Sequence, residues 1–178
     1  TSTLSGMAYV YWRFKFDNDL FQGLPNCAVR VKGKKILDFR TGTTAFSANP
    51  VLVLRDYLTD QFGMGVQTAE IDTTSFTAAA NICDEDVALA EGSTEKRYEC
   101  HGMLDTEVTF KANIEDILSS MHGGLIYSNG KFKCNAGASR TAVLTLDEND
   151  FTGKIEISPR RSRKDNFNAV KGKYISPK

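Results

Sequence analysis

The sequence predicts an α+β fold, mostly antiparallel sheet with about three helices packed on it. Three observations lead there. Helical and β-prone stretches follow one another without the regular alternation of a parallel βαβ chain. Three stretches carry apolar residues at helical spacing between recognisable end signals. Short aromatic and β-branched runs are joined by turn residues, above all Asn129-Gly130, a strong hairpin signal.

Met7 to Phe16 reads as a strand, with Trp12, Phe14 and Phe16 on one face and Arg13 and Lys15 on the other. Asn18 to Asn26, holding Gly23 and Pro25, reads as a loop. Cys27 to Val31 and Lys35 to Phe39 then form an expected hairpin through Lys32-Gly33-Lys34, with Gly33 supplying a positive φ.

The first helix starts at Asn49, whose side chain can accept an early backbone N–H, with Pro50 at the first helical position. Val51, Leu54, Leu58 and Phe62 recur at helical spacing, and Val53 and Tyr57 widen the apolar face. Gly63 fits the left-handed position after the last turn. The second helix spans about Thr73 to Cys83 and buries Phe76, Ala79, Ala80 and Cys83. Asp84, Glu85 and Asp86 follow it. Negative charge at a helix C-terminus costs some tenths of a kcal/mol per group. Either the helix stops at Cys83 or a basic partner covers the acids.

Glu95 to Leu104 reads as a strand. The third helix is expected over Asn113 to His122, capped by Asn113, with Glu115 and Asp116 in its first turn. Ile114, Ile117, Leu118 and Met121 form its buried face, and Gly123-Gly124 stop it. Leu125 to Ser128 and Lys131 to Asn135 flank the Asn-Gly turn. Ala142 to Leu146, Lys154 to Ser158 and Phe167 to Ser176 are the last expected strands.

At 178 residues the chain is one domain or two small ones, the latter as a mixed α/β part over 1–122 and a mostly β part over 123–178. Hydrophobic residues make up 41% and charged residues 25%, which excludes disorder as the main state. No apolar run approaches the length of about 18 residues that a membrane span needs, so no stable membrane insertion is expected. Thr1 to Gly6 has neither the basic start nor the apolar run of a secretory signal, and no initiator Met precedes it. The chain reads as a piece of a longer protein.

The 22 basic and 22 acidic residues balance, which argues against wholesale attraction to nucleic acid. The balance is not even along the chain. Residues 1–59 are net +4, 60–107 net −9, 108–153 net −1 and 154–178 net +6. An acidic middle thus lies between two basic ends. Either the ends fold back onto the middle, the charges are solvated faces, or neighbouring copies meet head to tail. The segments expected to form an interface are the basic run Arg160, Arg161, Arg163 and Lys164 and the acidic triplet Asp84, Glu85 and Asp86.

Chemical motifs are scarce. Cys27, Cys83, Cys100 and Cys134 form no CxxC, and Cys100, His101 and His122 match no common zinc spacing. The expectation is free thiols in a reducing compartment. No GxSxG elbow accompanies the two histidines, and no phosphate-binding glycine loop is present. Asp147, Glu148 and Asp150 fail the calcium-loop pattern because Phe151 stands where an oxygen ligand belongs. No catalytic residue, cofactor or metal is expected.

Several strings recur in order. Gly23-Leu-Pro-Asn26 leads into Val29-Arg-Val-Lys-Gly-Lys34 and Asp38-Phe-Arg-Thr-Gly42. Ser47-Ala-Asn-Pro50 leads into Leu54-Arg-Asp-Tyr-Leu58 and Phe62-Gly63. Ala78-Ala-Ala-Asn-Ile-Cys-Asp-Glu85, Arg97-Tyr-Glu-Cys-His-Gly102, Leu144-Thr-Leu-Asp-Glu148, Ser158-Pro-Arg-Arg-Ser-Arg163 and Phe167-Asn168 follow. Their order over about Gly23 to Pro177 resembles the central region of tail tip proteins of long-tailed bacteriophages, of the host-specificity protein J type.

That resemblance implies a piece of the baseplate hub of a phage or prophage tail. Such hubs are similar to homotrimers that close the tail tube, contact the distal tail and tape-measure proteins, and bind the host receptor through other regions. It places the protein in the virion tail, made in the host bacterial cytoplasm, with no enzymatic activity in this region. Two alternatives stand beside it. One is a receptor- or glycan-binding module using Tyr9, Tyr11, Trp12 and Tyr127; the other is a cell-wall hydrolase using Glu148 or His101.

Overall fold

The structure, a computed structural model, describes residues 9–15, 25–139 and 142–154 and the single positions 17, 19, 23, 156, 167, 169, 171 and 172. Among the described residues, three α-helices and six antiparallel strands in small two-stranded sheets give the α+β class. In order they are β1 (Lys35–Asp38), β2 (Thr43–Phe46), α1 (Pro50–Thr59), α2 (Thr73–Cys83), β3 (Asp86–Ala88), β4 (Thr94–Lys96), α3 (Phe110–Ser119), β5 (Gly124–Ser128) and β6 (Lys131–Asn135). Each strand pairs with its neighbour in sequence. The chain divides into two compact units, Thr1–Gly137 and Ala138–Lys178.

The first unit is built on α1, which packs against α2, α3 and β1, while α2 also packs on β6. Val51, Leu54, Leu58, Phe76, Ala80, Cys83 and Met121 are fully buried in one core. Each large apolar side chain among them contributes roughly 1.5–3 kcal/mol relative to exposure. Asn49 does two jobs at once. Its Oδ1 accepts the backbone N–H of Val51 at 3.0 Å and of Leu52 at 3.4 Å, and its Nδ2 donates to the Ala80 carbonyl at 2.9 Å. The cap of α1 is therefore also a bolt to α2. The helix α2 has the bounds and the buried stripe that its sequence predicts, with Asp72 as N-cap.

Several boundaries differ from expectation. The expected hairpin through Gly33 is displaced: residues 25–34 form no strand, and β1 turns instead through Phe39–Gly42, where Gly42 has φ +73°. The helix α1 stops at Thr59, because the Asp60 carboxylate accepts the Phe62 N–H at 2.8 Å and draws the backbone into a turn. Phe62 is consequently 72% exposed and no part of the buried face. Gly63 does not take the left-handed conformation; a Cβ there would lie 1.9 Å from the Tyr57 carbonyl oxygen. It is glycine because the loop after α1 folds back against the helix.

The third helix starts three residues earlier than expected, with its cap four residues earlier. Thr109 is its cap, accepting the Ala112 N–H at 3.3 Å. Asn113 lies inside the helix, 4% exposed, and donates to the Tyr57 hydroxyl at 3.0 Å and the Asp105 carbonyl at 2.8 Å. Glu115 and Asp116 are therefore not in the first turn. After Ser119 the chain turns through His122 at φ +47°, with the Gly123 N–H reaching back to the Leu118 carbonyl. That left-handed cap is the place where glycine usually stands.

The hairpin β5–β6 forms as the Asn-Gly signal predicts, with Asn129 at φ +55° and Gly130 at +72°. β4 covers only Thr94–Lys96, and residues 97–104 form no strand, although Glu95 to Leu104 was the expectation. The strand expected over Met7 to Phe16 is absent across its described part, 9–15, where Trp12 and Phe14 stack in parallel planes. In the second unit, residues 142–146 form no strand, and the carboxylates of Asp147 and Asp150 cap a short 3-10 turn at Glu148–Asp150. The strands expected at Lys154 to Ser158 and Phe167 to Ser176 lie largely outside the described residues; the described positions there are not strand.

Candidate interaction surface

The acidic triplet that follows α2 is where sequence and structure meet most directly. The helix ends at Cys83, and Asp84, Glu85 and Asp86 each find a cation from the same chain. Both branches of the sequence argument thus hold together.

Arg40 supplies the first. It sits in the tight turn between β1 and β2, where its guanidinium donates to both oxygens of Asp38, at 3.0 and 2.8 Å. The same group donates to Asn81 Oδ1 at 2.8 Å and to Asp84 at 2.7 Å. One planar fork therefore ties the first hairpin to the end of α2. Hydrogen bonding from Arg40 holds the Asp38 carboxyl below its ordinary range, against the opposing effect of burial. Asp38 in turn raises the Arg40 pKa.

Lys96 and Arg97 supply the other two. Lys96 Nζ reaches Asp86 at 2.9 Å and the Asp84 carbonyl at 2.9 Å, and Arg97 reaches Glu85 at 2.6 Å. The hydrogen bond to Asp86 raises the Lys96 pKa. These two residues are the only basic ones in 60–107, and both are used on the triplet. A further contact links Lys34 to Asp56 at 2.7 Å and to Asp60. Burial opposes the Lys34 charge, yet the hydrogen bonds outweigh it and leave the pKa raised. Arg55 lies 4.7 Å above the Phe39 ring, and its burial lowers its pKa.

These contacts form a belt of opposite charges around β1–β2, the end of α2 and β3–β4. Asp84, Glu85 and Asp86 keep side-chain exposures of 38, 50 and 62%, so the triplet is open to solvent, whereas Arg40 and Asp38 are half-buried. Exposed pairs of this kind contribute about 0–1 kcal/mol each. Arg160, Arg161, Arg163 and Lys164 lie outside the described residues.

Among the described residues, the other titratable groups do not converge. His101 Nε2 lies 3.3 Å from Glu99, two residues away, on the exposed surface. Burial pushes the Cys83 thiol up to about 11 and raises Cys100 as well, so neither is an activated nucleophile. Among the described residues no cluster of three or more His, Cys, Asp and Glu has metal-binding geometry, and no helix is long and apolar enough to cross a membrane. The residues that the sequence reading missed are Arg40 and Arg97, together with Lys96. A local signal existed for Arg40, since Asp-x-Arg before a turn glycine places both groups at one loop. None existed for Arg97, whose partner lies across a hairpin with no apolar pattern.

No family model matches the chain. It is 31% identical to the tip attachment protein J of Escherichia phage SECphi27, over a 150-residue alignment that takes in 72% of this chain and 12% of that protein. The chain therefore spans about an eighth of the length of that relative. The molecule with a buried α/β core and a belt of paired charges is similar to a short segment of a phage tail protein.

Proposed function

We propose that this chain is a structural segment of a phage or prophage tail tip, part of the baseplate hub, and that it carries no catalytic activity. The observation that carries the reading is the similarity to a tip attachment protein over 72% of the chain. The geometry is in keeping with it, because among the described residues Arg40 and Arg97 tie a hairpin turn and a strand end to the end of α2. In the whole protein three copies surround the end of the tail tube and meet the distal tail and tape-measure proteins. Regions outside this segment bind the host receptor.

The half-exposed row at Asp84–Asp86, with the basic run of 160–164 from a neighbour, is the proposed polar contact. Because Arg40, Lys96 and Arg97 already neutralise the row, the contact shares an existing network. It is weak and salt-sensitive, since exposed charges are screened beyond about 8–10 Å at physiological salt. The reading is tested on intact particles with an antibody raised against this chain. Gold label at the tail tip is the expected result. Label elsewhere on the particle, or none on particles whose tails have been opened with detergent, overturns it.

A second reading is favoured by one observation. Tyr9 and Tyr11 are 70 and 80% exposed, next to the Trp12–Phe14 stack, and rings with a polar tip suit a binding surface that is apolar at one end and wet at the other. In that case replacing Tyr9 and Tyr11 with alanine lowers adsorption to host cells while tails still assemble. Unchanged adsorption dismisses it.

A further inference from the structure

The two edges of the hairpin β5–β6 are treated differently. Its register is Leu125↔Cys134, Ile126↔Lys133, Tyr127↔Phe132 and Ser128↔Lys131 around the turn Asn129-Gly130. In a two-residue hairpin the pair beside the turn exchanges both hydrogen bonds, and every second pair does the same. Ser128, Ile126 and Gly124 therefore point their backbone groups at β6. Leu125 and Tyr127 point theirs outward from β5, as Phe132 and Cys134 do from β6.

On the β6 side these outward groups are used. The Phe132 carbonyl accepts the Asp72 N–H at 2.9 Å, and the Cys134 N–H donates to Ser75 Oγ at 3.3 Å. A parallel bridge between Ile71 and Phe132 closes that edge. On the β5 side, no backbone or side-chain group among the described residues pairs with the outward N–H and C=O of Leu125 or Tyr127. Ile126 and Tyr127 are 61 and 57% exposed. Open edges are ordinarily guarded by charge or proline. β6 carries Lys131 and Lys133, whereas Gly124-Leu125-Ile126-Tyr127-Ser128 carries neither guard.

We propose that β5 is a strand-pairing edge whose occupant is the β5 of a second copy, running antiparallel about a two-fold axis at Ile126. In that register Leu125 of one copy faces Tyr127 of the other. Each outward N–H meets an outward carbonyl, so every free group on the edge is used. The segment is uncharged, so nothing repels its own copy. The lysines of the two β6 strands lie on the far sides of the resulting four-stranded sheet. Ile126 meets its own copy on one face, while Leu125 and Tyr127 pack on the other. The contact joins two copies and is separate from the three-fold assembly and the charged contact proposed above.

Sedimentation velocity on the full 178-residue chain tests it. The expected result is a concentration-dependent dimer that persists in high salt. Two variants locate it. Ile126→Lys sets like charges opposite each other at the axis, from a side chain that already faces solvent. Tyr127→Pro removes an N–H that β6 does not use. Both are expected to be monomeric with an unchanged circular dichroism spectrum. In the dimer, amide exchange at Leu125 and Tyr127 slows, while Ile126 is protected in monomer and dimer alike. A wild type that stays monomeric overturns the pairing and leaves the edge to a strand from a different protein. A dimer that survives Ile126→Lys, or that salt dissolves, overturns it as well, the latter pointing to the charged belt.

Discussion

The hairpins β3–β4 and β5–β6 share a topology, yet they are held by different forces. In β5–β6, Leu125, Phe132 and Cys134 reach the core shared with α1 and α2, and an Asn-Gly turn sets the register. In β3–β4, all three residues of β3 are exposed, and the strands continue from the end of α2 into a turn at Leu89–Ser93. What holds them is a short backbone ladder with Lys96–Asp86 and Arg97–Glu85 across it. Burial of a side chain is worth a few kcal/mol, and an exposed ion pair about 0–1 kcal/mol. One hairpin is therefore a wall of the core, and the other is surface structure attached by charge.

The largest expected effect strikes the core side. Phe76→Ala empties a fully buried site and is expected to cost about 3–5 kcal/mol in urea unfolding, taking β5–β6 with it. A loss below about 1 kcal/mol would mean that the core wall is not what holds the molecule. Next, Gly130→Ala places a side chain at φ +72°, with an expected cost of about 1–2 kcal/mol. The rest of β5–β6 should survive at room temperature, because its packing does not depend on the turn. Complete loss of the hairpin by NMR would shift the weight from burial to turn geometry.

Smaller still is Arg97→Ala, expected to leave global stability within about 1 kcal/mol while amide exchange at Val87 and Leu89 speeds up. Equal loosening of Leu125 to Cys134 would break the contrast. Acid gives a related test at the other end of the belt. The folded pKa of Asp38 lies below its ordinary value of 3.8, chiefly through its hydrogen bonds from Arg40. Its contribution is whole above that value and is lost as pH falls through the folded pKa. Asp38→Asn should flatten the acid limb of the stability curve, and an unchanged limb would remove Arg40 as the node.

The same contrast explains what the sequence could reveal. The helix α2 was legible in its bounds, since Phe76, Ala79, Ala80 and Cys83 mark one stripe; its cap, Asp72, is supplied by the structure. β5–β6 was legible through Asn129-Gly130. β3–β4 was not, because Asp-Val-Ala against Thr-Glu-Lys has no alternating apolar pattern and its order comes from pairing across ten residues. Asn113 misled for a different reason. It has the chemistry of a cap, but burial against Tyr57 put its amide to use inside the helix while Thr109 capped four residues earlier. The triplet Asp84–Asp86 was visible as an anomaly at a helix end, and its resolution by Arg40 lay 44 residues away, beyond any local pattern.

The direct measurement of the central contrast is hydrogen exchange of the two hairpins at low salt and at about 1 M salt, where the screening length falls to about 3 Å. The account predicts that amides of β3–β4 exchange markedly faster at high salt while those of β5–β6 at Gly124, Ile126 and Ser128 are unchanged. Salt-independent protection of β3–β4, or equal loosening of both hairpins, would contradict it.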